Sequence, residues 1–358
     1  MSRRSAGEGS IFKNNRGYWV AQITLPDGRR KQKSSKKQKV SRDWLLAQRD
    51  AIRDGVWIGD ESLVVSTFFD RYLNEVVVHR VRPKTYERYE QFVRLHIKPG
   101  IGRIRIAKLR PDHLQSLYSK KLGEGLSKRS VQQMHAVIHK ALNQAMKWGL
   151  VARNVSDLVE PPKPQKRMPI TLNPDQVNEL FTALEDDRLS PLYVTAIATG
   201  MRQGELLGLM WEDVDLDNGV IHVKRTAQTI WKKGTVISDT KTDRSRRSIP
   251  LPQFAVEALK NKPRTSDFVF PSTVGTPIPA RNLLRHWHNT REKIDQPDMR
   301  FHDLRHTSAT LLLQAGVHPK VVQERLGHSR ISMTLDTYSH VVPSMQEEAA
   351  NQLQAILK

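Results

Sequence analysis

The stretch "PLYVTAIATGMRQGELLGLMWEDVDLDNG", Pro191–Gly219, decides how the second half of this chain is built. It reads as a helix, a break at Gly200 and a short second helix, with Arg202 just after the break and Glu205 one turn later on the same face. An Arg–Glu pair at this spacing is ordinarily an ion pair and, alone, says nothing about chemistry. Downstream, "GVIHVKRTAQ", "TVISDT" and "RRSIPLP" alternate like strands of a small antiparallel sheet, and Lys241 falls in the polar turn before the last of them. Upstream, "LNPDQVNELFTAL" opens a helix, with Asn173 as its cap, Pro174 at the first helical position and Gln176 three residues after the cap. From Pro252 onward helical patterns dominate.

The 358 residues suggest two or three domains. Residues 1–57 alternate as strands around "YWVAQITL", between the turn signals "NNRG" and "PDG". They then turn helical from Val40, with Trp44, Leu45, Ala47, Ala51 and Ile52 on one side and a stop near Gly55. A three-stranded sheet with one packed helix is expected. Residues 62–158 read as all-helical. Their clearest helix is capped by Ser127 or Ser130, carries an apolar stripe of Val131, Met134, Ile138, Leu142, Ala145 and Met146, and ends at Gly149. The Pro-rich, basic run 159–169 reads as a linker to a third domain over 170–358.

Lys plus Arg total 58 against 37 Asp plus Glu, a formal net charge of +21 that calls for a polyanionic partner. A membrane is the weaker choice, because no apolar run approaches the ~20 residues of a spanning helix. The chain start has no apolar signal segment, and there are no cysteines, which excludes disulfides and thiolate metal sites. The charge is uneven: residues 1–57 carry +9, residues 62–158 carry +11, and residues from 159 onward only +3. Eight Lys or Arg lie between Arg29 and Arg42, and a basic β-ribbon fits a DNA groove. The C-terminal half must therefore work through particular side chains.

Two more clusters stand out there. In "RFHDLRHTSATLLLQAG", His302 and Arg305 lie three apart at a helix start, while Leu304, Leu311 and Leu312 serve packing. In "LGHSRISMTLDTYSHV", His328 and Tyr338 stand among small polar residues with no apolar stripe to claim them. His302 and His306 are spaced like a metal pair, but a metalloprotease helix needs Glu after the first His and this chain has Asp303. Taken together, two arginines, a lysine and two histidines form a donor set for a phosphate and the charge that develops on it. A tyrosine attacking that phosphate would leave a phosphotyrosine, and Lys241 or a histidine could protonate the departing sugar oxygen. The bond energy kept in that linkage would let another DNA hydroxyl reverse the step on a new strand.

The motifs "TGMRQGE", "TKTDRSRRSIP", "HDLRHTSAT", "LGHS" and "TYSH", in this order, resemble the tyrosine recombinase (phage integrase) family. The resemblance covers roughly 168–358 and implies the mainly α catalytic fold of that family, with a small antiparallel sheet. By it, Arg202, His302, Arg305 and His328 contact the scissile phosphate. Lys241 is the hairpin general acid (Lys232 and Lys233 are also on offer), Tyr338 is the nucleophile, and Glu205 supports the site from behind. No metal or cofactor is implied.

Residues 62–158 are similar to the helical, SAM-like core-binding domain, and residues 1–57 to the arm-binding domain of integrases from phage or conjugative elements. The capped stretch about 344–357 resembles a docking helix that joins protomers into a tetramer on core and arm DNA, in cis or in trans. An excision factor and a DNA-bending host protein are further implied partners, and a nucleoid-associated place in the bacterial cytosol follows. The same chemistry could instead serve a type IB topoisomerase that relaxes DNA, against which the arm-like domain and docking tail argue. A DNA-binding regulator with an unused active site is the other alternative, against which the complete donor set argues.

Overall fold

The computed structural model describes residues 9–25, 30–53, 62–165, 167–230, 233–239, 246–328, 331, 350 and 353–357. The chain divides into two units, residues 1–166 and 167–358.

The first unit opens with an antiparallel meander of β1 (Ser10–Lys13), β2 (Trp19–Thr24) and β3 (Arg30–Ser35). Asn14 shapes its first turn, its side-chain oxygen accepting from the Arg16 and Tyr18 backbone N–H groups. Helix α1 (Gln38–Arg53) covers one face, and Ala21, Ile23, Leu25 and Leu45 form the core with Ile11, Trp44 and Ile52. The Ser41 hydroxyl donates to the Trp19 carbonyl at 2.9 Å and ties helix to sheet. Ala47, expected on the packed side, is exposed.

The helical part begins with α2 (Val65–Tyr72), which runs through a π-turn at Leu73–Val77 into α3 (Val78–Arg80). The device repeats in α4 (Pro83–Phe92), a π-turn at Val93–Ile97, and α5 (Lys98–Ile101). Helices α6 (Pro111–Gly123) and α7 (Lys128–Lys147) close the bundle around Phe68, Phe69, Ile97, Leu114, Tyr118, Met134 and Ile138. Ser127 is the residue that caps α7, accepting from the Ser130 N–H, and Gly149 follows its end with φ +66°. The expected apolar stripe is buried except for Met146, which is 41% exposed because its position has rotated off the packed face.

The second unit starts with α8 (Pro174–Thr182), whose Asn173–Gln176 box closes in both directions at 2.8 and 3.0 Å. Then come α9 (Ser190–Thr199), the break, and α10 (Gln203–Leu207). The strands β4 (Val214–Asp215), β5 (Val220–Val223), β6 (Arg225–Ile230), β7 (Gly234–Asp239) and β8 (Arg247–Pro250) make two sheets rather than the single one expected. One has the order β4-β5-β8 and the other is the β6-β7 hairpin, so β8 returns to pair with β5 instead of continuing from β7. Helix α10 lies backbone to backbone against the hairpin: a Cβ on Gly204 would collide with Thr226, and one on Gly208 would stand 2.8 Å from the Ala227 nitrogen.

Helices α11 (Gln253–Lys260), α12 (Ala280–Lys293), α13 (Asp303–Gln314) and α14 (Pro319–Leu326) complete the unit. Its core gathers Leu192, Tyr193, Leu206, Ile221, Ile249, Trp287, Met299 and Leu304. Apart from that division of the sheet, the fold is the one the sequence led us to expect: a small α+β N-terminal module, an all-α segment, and a mainly α C-terminal domain with small antiparallel pairing.

Candidate active site

Five elements bring their ends to one place. Gly200 ends α9 in the left-handed region, with φ +63°, where a Cβ would lie 2.5 Å from Leu326 Cδ2. That turn delivers Arg202 as the N-terminal cap residue of α10. Gly327, with φ +67°, ends α14 in the same way and carries the chain into His328.

The carbonyls at the end of α14 have no helical partners of their own and hold the negative end of the helix dipole. Guanidiniums from three other elements meet them. Arg247, on β8, donates to the Arg325 carbonyl at 2.7 Å, Arg305, on α13, to the Leu326 carbonyl at 2.7 Å, and Arg202 to the Gly327 carbonyl at 3.0 Å. Arg305 also reaches the Gly200 carbonyl at 2.6 Å, so one buried side chain ties the end of α9 to the end of α14. These bonds fix the arginines before any substrate arrives.

Glu205 is the carboxylate among them, buried with 5% exposure. Its Oε1 accepts from Arg202 Nη1 at 2.8 Å. Its Oε2 accepts from the Arg202 backbone N–H at 3.0 Å and from Arg247 Nη2 at 2.9 Å. Burial works to raise the Glu205 carboxyl, but the hydrogen bond and charge of Arg247, together with Arg202, hold it below the ordinary carboxylate range. Glu205 therefore stays ionised and the cluster stays net positive.

His302 precedes the first residue of α13 and is exposed at the surface, whereas Arg305, one turn on, points inward. The protein packed behind the ring withdraws it from water, and with His306, Arg305 and Arg202 nearby the His302 imidazole is pushed down to about 4. His306 meets it edge to face, with ring centroids 5.3 Å apart. His328 is pinned by its backbone, its N–H donating to the Gln323 carbonyl and its carbonyl accepting from the Gln323 amide. Desolvation first, then Arg305 and Arg202, push its imidazole down to about 3. At neutral pH both rings are thus uncharged, each able to donate from one nitrogen and accept at the other.

The structure brings Arg202, Glu205, His302, Arg305 and His328 together, while Lys241 and Tyr338 lie outside the described residues. Arg247 escaped the sequence reading, which took "RRSIP" only as a strand. The signal was present: Arg247 shares its strand face with Ile249, the side that points into the core.

Known proteins agree with this architecture. The model of the phage integrase family matches residues 171–345, and that of the phage integrase N-terminal SAM-like domain matches residues 64–122. A tyrosine recombinase XerC-like protein of Caldanaerobacter subterraneus subsp. tengcongensis is 28% identical over 381 residues, covering 96% of this chain and 97% of that one. The ICEBs1 integrase of Bacillus subtilis is 25% identical over 307 residues, covering 77% and 79%.

Among solved structures, the Tn1549 transposon integrase in complex with a circular intermediate DNA superposes with a TM-score of 0.70 at 22% identity, over 80% of this chain and 100% of that one. A lambda integrase tetramer bound to a Holliday junction gives 0.61 at 18% identity, over 94% and 97%. Family models over both helical domains and relatives matched along nearly their whole length place this chain in the phage integrase family of tyrosine recombinases.

Proposed function

We propose that this protein is a site-specific DNA recombinase that cleaves and rejoins DNA through a 3′-phosphotyrosine, integrating and excising a mobile element. The observation that carries this reading is the preorganised cluster of Arg202 and Arg305 with two uncharged imidazoles, a cationic donor set of the charge a phosphodiester needs.

In this reading the Tyr338 oxygen attacks phosphorus as the bond from phosphorus to the 5′ oxygen breaks. The tyrosine proton passes to an uncharged imidazole, and Lys241 gives a proton to the departing 5′ oxygen. The guanidiniums carry the charge that builds on the non-bridging oxygens. A 5′-hydroxyl from another duplex then attacks the phosphotyrosine, restores the phosphodiester and releases Tyr338. Bond count and charge balance at each step, so no energy source is consumed.

Residues 1–57 hold arm sites, 62–158 grip the core site, 159–169 link them to the catalytic domain of 170–358, and the stretch about 344–357, which lies largely outside the described residues, docks on a neighbouring protomer. The lambda integrase on its Holliday junction is a tetramer, and we take the same assembly, built on double-stranded DNA, for this chain. An excision factor and a DNA-bending host protein would set its direction, and the bacterial nucleoid is its expected place. Among the described residues no helix is long and apolar enough to cross a membrane.

The test is a nicked duplex carrying the junction sequences of the encoding element, incubated in chelator with wild type and with Tyr338→Phe and resolved on a denaturing gel. A covalent protein–DNA adduct that disappears in Tyr338→Phe is the expected result. An adduct that persists in the variant would assign the attack to another residue. Clear binding with no adduct from wild type would overturn the reading.

A further inference from the structure

We infer that Arg247 is a positioning residue for strand transfer, supplying the countercharge for Glu205 so that the guanidinium of Arg202 is held in place yet left to the phosphate. This role rests on the recombinase reading above. Arg247 takes no direct part in gripping DNA by this account, because its side chain is only 7% exposed. It acts through what it touches: Glu205 Oε2 at 2.9 Å and the Arg325 carbonyl at 2.7 Å.

A buried carboxylate must be balanced by a cation. With Arg202 as sole partner, Glu205 would compete with the substrate for the charge of Arg202, and the phosphate would find a neutralised pair. Arg247 relieves that competition from the inner side, while Arg202, with a side chain 38% exposed, faces outward. The second donor of Arg247 fixes the balance in space. Its Nε on the Arg325 carbonyl locks β8 to the end of α14, so the carboxylate that orients Arg202 is referenced to the turn leading into His328. Lysine could supply the charge but not two donors in fixed directions. Arg247 also lies six residues after Lys241 in the chain, so the strand that follows the general acid is anchored at the same point.

The experiment measures the single-turnover rate of adduct formation at saturating nicked duplex for wild type, Arg247→Met, Arg247→Lys, Glu205→Gln and the double variant Arg247→Met/Glu205→Gln. Duplex affinity and melting temperature are taken in parallel. Arg247→Met is expected to slow the reaction on the order of 100-fold, the scale of a misplacement near 1 Å, with duplex affinity unchanged. Arg247→Lys is expected to lose less. In the double variant the carboxylate needing balance is gone, so its loss should fall well short of the product of the two single losses.

Should Arg247→Met melt before the assay temperature, the comparison of Arg247→Lys with Glu205→Gln and their double variant decides the same point. Wild-type rates in the Arg247 variants, losses that simply multiply, or a rate that falls only in step with affinity and melting would each overturn the role. Absence of an adduct from wild type would overturn the recombinase reading and this role together, whereas an adduct at undiminished rate in Arg247→Met overturns this role alone.

Discussion

At the scale of single residues, the site separates fixed charge from titratable groups. The arginines hold their charge at any working pH, and Glu205 is held ionised by Arg247 and Arg202. The histidines move the other way. Both fold with values below the ordinary 6.5, about 4 for His302 and about 3 for His328. The unfolded chain therefore binds more protons than the folded one throughout that interval. Their contribution to stability is complete above about pH 6.5 and is lost as the pH falls through the folded-state values. Melting temperatures taken between pH 7 and pH 4 should decline, and His328→Gln should flatten the decline. A slope unchanged by that substitution would show that the ring does not titrate as its surroundings require.

At the scale of elements, the end of α14 is where the C-terminal domain is locked, and Arg305 is the bolt. Arg305→Met leaves the carbonyls of Gly200 and Leu326 without the partner they have now. At about 1–3 kcal/mol for each of the two buried groups left unpaired, the expected loss is roughly 2–6 kcal/mol, read from urea unfolding of the intact protein.

This element scale also shows what a sequence can and cannot reveal. The Asn173–Gln176 box and the Gly200 break were readable because cap and break are settled within four residues. The motif residues Arg202, His302, Arg305 and His328 were readable as a donor set because phosphate chemistry demands those types. The convergence of guanidiniums on consecutive carbonyls was not readable, since it joins residues up to 125 positions apart. The division into two sheets was hidden for the same reason: β8 pairs with β5 across the intervening hairpin, and nothing local in "RRSIP" names that partner. The π-turns at Leu73–Val77 and Val93–Ile97 were also hidden, because each shifts the helical register without a Gly or Pro to announce it.

At the scale of the whole molecule, charge and chemistry are kept apart. Residues 1–158 hold most of the net positive charge, and the C-terminal half, though it holds the arginine cluster, is nearly balanced. Grip on DNA should therefore be salt-sensitive mainly through the N-terminal half. Lys33, Lys36, Lys37 and Lys39 are all exposed on or beside β3. Changing all four to Ala should reduce the slope of log affinity against log salt on arm DNA by up to about 3–4, near 0.9 for each phosphate no longer neutralised, and should leave the rate of adduct formation on a saturated core duplex unaltered. A slope that does not change would overturn the proposed arm-binding role of this face.

The turn at Arg325–Gly327 has a mechanical consequence for such a machine. Consecutive links of the chain are moored to β8, α13 and α10, three elements rooted in the same core. If the chain beyond docks on a neighbouring protomer as proposed, tension passed along the backbone reaches this mooring and is shared among the three. Arg202, Arg247 and Arg305, the groups the proposed reaction relies on, would then keep their places through a cycle of exchange.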